Sequence, residues 1–430
     1  MSGVHILPGR RIVATCVYER VYTGIAASMK LRSFIFWPHL IAGASAGLVI
    51  LLMCATGVLL TYERQLIAWA DSGYRSVKPT TDAHPLPMDV LLAQLRETHP
   101  GLSPTTITIR ADQGAAVAVV AGQHTLYVDR YSGAVVGEAS RTGIRKVMSD
   151  LRAWHRWLAV DGEARPIARA ITGWSNFLFL FIVLSGIYLW FPRKWTWSQI
   201  RSVVLFNPAA RGKARDFNWH NVIGSWCAVP LFLVVLSAMP ISFSWFNALV
   251  YRAVGEVPPP PANRAVAGAA EDRVQQNEGG RARPREQVDG MSRSDVDALW
   301  TRAERQVPGW RTVSLRVPAS SSAPAVFTID RGDGGQPHLR STLTIDARTG
   351  AITRFETFSD LTLGRRIRNT MRFAHTGEVL GIPGQTVAGI VSAGGAVLVW
   401  TGLALAWRRF RSWMARRGRR SETSRVPSAA

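Results

Sequence analysis

WHNVIGSWCAVPLFLVVLSAMP, residues 219–240, sets an imidazole, His220, at the mouth of an apolar run long enough to cross a bilayer. A membrane helix needs about 20 consecutive apolar residues. Three other stretches meet that length, 39–62, 167–191 and 385–407, and 219–240 extends as an apolar run to 246. None has Lys, Asp or Glu in its middle, and Arg169 stands near an end. The fold class this predicts is an α-helical integral membrane protein, with a four-helix transmembrane bundle.

Charge sets the topology. The formal net charge of +22 on 430 residues raises the question of nucleic acid, but the basic residues are not spread as a binding face. They gather at Arg10, Arg11, Arg20, Lys30 and Arg32, across 193–215, and across 408–425. A chain that crosses four times puts those three segments on one side. Cytoplasmic loops carry such an excess, so both termini and the middle loop are expected in the cytoplasm, with no nucleic-acid partner. No apolar core of a cleavable signal peptide is present in the first 28 residues. MKLRSFIFWPHL, from Met29, reads as a natural start, which would make 1–28 an extension, mobile or misassigned. Of three cysteines, Cys54 and Cys227 lie in apolar runs and Cys16 near the N-terminus, so there is no disulfide framework and no CxxC site.

The halves of the chain repeat each other. His39 and Thr56 are 17 residues apart in the first run, as are His220 and Ser237 in the third. The second run ends SGIYLWFPRK (185–194) and the fourth TGLALAWRR (401–409). WHRWL with His155 precedes the second, RFAHTGE with His375 precedes the fourth, and Pro166 and Pro383 follow these motifs. An internal duplication of this kind builds bundles with paired sites between repeats.

The intervening segments repeat as well. MDVLLAQLRETHPG, TTITIR and TLYVDRYSGAVVG in the first match SDVDALWTRAERQVPGW, TVSLRV and LTIDARTGAITRF in the second. Asp and Gly between alternating apolar residues signal a strand–turn–strand. Each segment is expected to form a small α+β module on the outer face. Residues 258–287, rich in Pro, Gly, Ala and Arg, read as a flexible linker.

Topology then sets depth. The first and third runs begin at the cytoplasmic side, placing His39 and His220 there. The second and fourth begin outside, placing His155 and His375 there. One histidine at a helix end commonly caps carbonyls or meets headgroups. Four in register across a duplication point instead to two bis-histidine sites, while the other five histidines follow no such pattern. Ligands split across roughly 30 Å of hydrocarbon cannot meet at one tetrahedral zinc, and two His alone do not complete a zinc or copper shell. Haem iron brings four porphyrin nitrogens of its own, so two axial histidines finish it. With no CxxCH, two non-covalent b-type haems are expected, held by His39, His155, His220 and His375. Gly43, Gly47, Thr56–Gly57, Ser185–Gly186, Gly394–Gly395 and Thr401–Gly402 suit the approach of a flat macrocycle, or ordinary small-residue packing. Two haems across a membrane would pass electrons from the cytoplasmic side outward. Trp154 and Trp157 beside His155 are candidates for a haem edge. Arg152, Arg156 and Arg372 are candidates to pair with propionates, an anionic iron chelate or lipid headgroups.

WHRWL, SGIYLWFPRK, NWHNVIGSW, RFAHTGEVLGIPG and the VDRYSG/TIDARTG pair resemble the PepSY-associated transmembrane-helix family of bacterial inner-membrane proteins, over nearly all of 34–411. The resemblance implies four membrane helices with two periplasmic PepSY-like modules and an association with iron uptake. Some members are similar to ferric-siderophore reductases that hold two b haems through histidines. That likeness makes a ferric siderophore the expected substrate. Ser237-Ala238 followed by Pro240 departs from the Thr-Gly that relatives often show there. With no GxGxxG and no flavin or nicotinamide domain, the electron donor is expected to be a quinol or a cytoplasmic reductase. The alternative is a non-catalytic membrane regulator whose periplasmic modules bind a protease or envelope partner. Solute transport is weaker, for want of buried carboxylates and interrupted helices.

The expected boundaries are a cytoplasmic segment 1–38, a first span 39–63, a first module 64–150, and the His155 segment with the second span 151–192. A basic loop 193–218, a third span 219–247, a linker with the second module 248–364, the His375 segment with the fourth span 365–409, and a basic tail 410–430 complete the chain.

Overall fold

The computed structural model describes residues 9–78, 84–122, 124–139, 143–192, 195–259, 295–318 and 323–423. The expected linker lies outside the described residues from 260 onward, as do the first eight residues of the chain. In chain order the helices α1 (Gly9–Leu60), α2 (Glu63–Ala70), α3 (Ser72–Arg75) and α4 (Met88–Thr98) come first. Strands β1 (Thr106–Arg110), β2 (Val117–Ala121), β3 (His124–Val128) and β4 (Val135–Ala139) follow. Then come α5 (Gly143–Trp157), α6 (Arg165–Trp190), α7 (Trp197–Val204), α8 (Gly212–Ser242) and α9 (Ser244–Arg252). Last are α10 (Asp295–Gln306), β5 (Thr312–Arg316), β6 (Ala325–Asp330), β7 (Arg340–Ile345), β8 (Ile352–Glu356), α11 (Leu363–Thr376) and α12 (Gly381–Thr423).

Length and composition single out four membrane spans among the described residues, Leu31–Leu60, Gly162–Trp190, Gly212–Ser242 and Glu378–Arg417. The chain divides into two compact units. One comprises Met1–Ala55, Trp174–Val235 and Val391–Ala430; the other comprises Thr56–Gly173 and Leu236–Ile390.

The first unit is a helical bundle. Ala46, Ile50 and Cys54 of α1, Phe179 and Val183 of α6, and Cys227, Leu231 and Val235 of α8 are buried at four-residue steps, one stripe per helix. Val391 of α12 completes that core. Lipid is as apolar as these side chains, so close van der Waals packing rather than water exclusion holds such helices together. The Gly394–Gly395 pair of α12 permits the approach: a Cβ on Gly394 would stand 2.6 Å from Cys227 Sγ, and one on Gly395 3.0 Å from Cys54 Sγ. Gly394→Val overfills this seam, and we expect it to cost about 1–3 kcal/mol. A lowered melting temperature of the detergent-solubilised protein, followed by size exclusion after heating, checks this.

The second unit is built on one eight-stranded antiparallel sheet, in the order β4-β3-β2-β1-β5-β6-β7-β8. The segments expected as two modules are therefore fused. β1 pairs with β5, Ile107 opposite Leu315 and Ile109 opposite Val313. Each four-strand meander would otherwise leave a row of unpaired backbone groups on β1 or β5. Both strands also alternate buried and half-buried positions in the same phase, so joining them continues a single apolar face. α4 and α10 supply Leu91, Leu95, Leu299 and Trp300 to the core of that face, where Phe327 is fully buried. Trp300 meets Phe327 edge-on, with ring centroids 5.6 Å apart. DRYSG and DARTG are the hairpin turns: Asp129 accepts the Tyr131 N–H at 2.8 Å, and Asp346 accepts those of Arg348 and Thr349 at 3.0 and 2.9 Å.

A buried carboxylate ties the sheet to the neighbouring helices of the same unit. Asp71, after α2, accepts the Tyr127 hydroxyl of β3 at 2.8 Å and both arms of the Arg145 fork of α5, Nε at 3.1 Å. Burial and the Asp71 carboxylate push the Tyr127 hydroxyl up to about 12, so it stays protonated and donates at neutral pH.

Candidate functional site

Four histidines stood out from the sequence, and the structure gathers them in twos. His39 of α1 and His220 of α8 both belong to the first unit. His155 of α5 and His375 of α11 belong to the second unit, with ring centroids 6.2 Å apart and planes tilted by 52°.

Local structure explains how each ring is carried. His39 follows Pro38 inside the unbroken α1. His220 lies in the third turn of α8, where α7 and the loop after it are anchored by Asn218 to the Ser202 and Leu205 carbonyls, both at 3.2 Å. His155 and His375 are not on the membrane helices themselves. Each sits in the last turn of a separate, basic amphipathic helix that ends just before one. Leu158 and Ala159, with φ of 55° and 54°, break the chain between α5 and α6. Gly377, with φ of 77°, caps α11 and turns it toward α12. The sequence reading treated each histidine segment and its span together and did not see this break.

His39, His220 and His155 each meet a hydroxyl through Nδ1. His39 Nδ1 is 2.8 Å from Ser185 Oγ, which in turn is 3.2 Å from the Ile182 carbonyl. His220 Nδ1 is 3.0 Å from Thr401 Oγ1 and 3.1 Å from the Leu398 carbonyl. His155 Nδ1 is 2.9 Å from Thr56 Oγ1. Gly186 and Gly402 back onto the rings: a Cβ on either would stand 3.4 Å from Cε1 of His39 or His220. Of the small residues picked out in the sequence, Thr56, Ser185–Gly186 and Thr401–Gly402 lie against imidazoles, whereas Gly47 backs onto Leu403, and Gly394 and Gly395 onto Cys227 and Cys54.

The donor set discriminates between occupants. Among the described residues no three His, Cys, Asp or Glu side chains cluster to hold a bare metal ion. A group that brings equatorial ligands and asks the protein for two imidazoles matches what is present. The rings of His155 and His375, with centroids 6.2 Å apart, come from separate helices and are near enough to share one occupant. Two indole donors are buried without a partner among the described residues: Trp157 Nε1, two residues beyond His155, and Trp190 Nε1. Trp190 is one turn beyond Gly186, on the same helix face. A buried N–H without an acceptor costs about 1–3 kcal/mol, which a carboxylate-bearing cofactor could offset. The four histidines with these indoles fit a b-type haem at each pair.

The arginine expectations divide. Arg152 is committed to Glu63, Nε to carboxylate at 3.1 Å with both side chains mostly buried, because the first turn of α2 comes up against α5. Arg156 lies over the Trp157 ring at 5.2 Å, and Arg165, not singled out from the sequence, lies closer at 3.9 Å. Arg372 stacks on the adjacent Phe373 ring at 5.7 Å.

A family model described as "PepSY-associated TM region" matches residues 36–409. No curated protein matches the chain at a significant level.

Proposed function

The chain belongs to the PepSY-associated TM region family of membrane proteins, and we propose that it is a di-haem b oxidoreductase of the bacterial inner membrane. In this reading both termini are cytoplasmic, the fused sheet is periplasmic, and the two halves descend from a duplication. His39 and His220 hold one haem at the cytoplasmic side, and His155 and His375 hold the other at the periplasmic side. Each haem, when bound, supplies a reversible one-electron carrier. Electrons would enter from a quinol or a cytoplasmic reductase and leave to a periplasmic acceptor, the iron of a ferric siderophore. One electron converts ferric to ferrous iron, which a hard-oxygen chelator binds less tightly, freeing the metal for uptake.

The observation that carries this reading is the His155–His375 pair, two imidazoles from separate helices with ring centroids 6.2 Å apart, which would hold one haem between them. The protein's own part is to fix those rings, exclude bulk water from the apolar bundle around the spans, and offer the buried indole donors of Trp157 and Trp190 to acidic substituents. Purification from haem-replete cells, with oxidised and dithionite-reduced spectra and haem quantified per chain, tests the reading. Two six-coordinate b haems per chain, reoxidised by a ferric chelate after reduction, are expected. A colourless preparation would overturn it and turn attention to partner binding by the sheet.

A further inference from the structure

We infer that Ser185 and Thr401 are positioning residues: their hydroxyls hold the Nδ1 protons of His39 and His220, leaving the Nε2 lone pair of each ring as the metal donor. The inference rests on the di-haem reading and deepens it.

Proton accounting places the hydrogens. Ser185 Oγ is 2.7 Å from the Phe181 carbonyl oxygen, a group that can only accept. A hydroxyl has one proton, and here it points to that carbonyl, so toward His39 Nδ1 the same oxygen acts as acceptor. Thr401 Oγ1 spends its proton in the same way, on the Val397 carbonyl at 2.8 Å. His220 Nδ1 faces this oxygen and the Leu398 carbonyl together, two acceptors that leave it only the role of donor. A neutral imidazole carries one N–H. With that proton on Nδ1, Nε2 is bare.

The two cradles are built alike from different residues. Each has a hydroxyl whose own proton goes back to its helix, at residue 185 or 401, and beside it the carbonyl three residues earlier, Ile182 at 3.2 Å or Leu398 at 3.1 Å from that oxygen. Each has a glycine one residue later, whose missing Cβ leaves the ring edge free. Coincidence at one site is easy. The same four-part arrangement around two histidines of two helices is better explained by a shared task.

The consequence is electronic. An imidazole that shares its Nδ1 proton is a stronger donor through Nε2 and stabilises the oxidised metal, which lowers the reduction potential. Taking the hydroxyl away weakens that donation. Both hydroxyls should act on one haem, since His39 and His220 would together hold it.

The test uses the purified holoprotein with Ser185→Ala, Thr401→Val and the conservative Thr401→Ser. Haem per chain, the two midpoint potentials by redox titration, and the electron-paramagnetic-resonance signals of the ferric haems are measured. Ser185→Ala and Thr401→Val are expected to raise the potential of the same haem and shift its signal, leaving the other haem as in the wild type, while Thr401→Ser restores both values. If Thr401→Val loses that haem and Thr401→Ser retains it, the hydroxyl is again what matters, and Ser185→Ala supplies the potential. Unchanged potentials and signals with two haems per chain would overturn the positioning role while leaving the di-haem reading intact. Shifts in two different haems would overturn the pairing of His39 with His220. A haem-free wild type removes the foundation of both.

Discussion

On the di-haem reading, replacing His375 with alanine should cost the protein one haem and leave the other in place. The ring of His375 stands 6.2 Å from that of His155, so both would lose their shared occupant together. His155→Ala should therefore remove the same haem, and the double variant should lose no more than either single one. Combining His375→Ala with His220→Ala crosses the two pairs, and the preparation should be colourless. Haem per chain by pyridine haemochrome should fall from two to one to zero along this series. His99→Ala and His338→Ala, outside the pairs, serve as controls and should keep both haems. Two haems in His375→Ala would sink the ligand assignment.

The second large effect is on stability. Asp71→Ala removes the one carboxylate that holds Arg145 and Tyr127 together, and Asp71 is only 4% exposed. The ion pair itself is not the main loss. A guanidinium left four-fifths buried with no counter-charge is, and breaking such a pair from one side costs about 3 kcal/mol. Tyr127→Phe deletes a single hydrogen bond and should cost nearer 1 kcal/mol. For a unit of this size about 3 kcal/mol lowers the melting temperature by roughly 6–12 °C. Hydrogen exchange across β3 and β4 locates the loss: protection should fall there for Asp71→Ala and stay unchanged in the helices of the first unit. A uniform loss over the whole chain would contradict the assignment of Asp71 to the second unit.

How far the sequence reached can be argued from these residues. The membrane spans follow from local properties, the length of an apolar run and the absence of charge within it, and family membership follows from motifs read along the chain. The four histidines were visible because they fall in register, His39 with His220 and His155 with His375. The helix of 88–98, the strands at 106–110 and 312–316 and the Asp-Gly hairpins were visible because periodicity and turn chemistry act over a few residues.

Other features have no local signal. Arg152 looked as available as Arg156 until the fold brought Glu63 to it. Ser185 and Thr401 read as small residues for a macrocycle's approach or for helix packing, yet each meets a histidine 146 or 181 positions away. β1 and β5 carried no mark that they would join; the pairing of Thr108 with Ser314 spans 206 residues and is decided by which edges remain open once each meander has formed. Composition and periodicity thus determined what the elements are and that they enter a membrane. Which ring meets which hydroxyl, and which strand closes which edge, was decided by tertiary packing, because only there do backbone and side-chain partners compete across the whole chain.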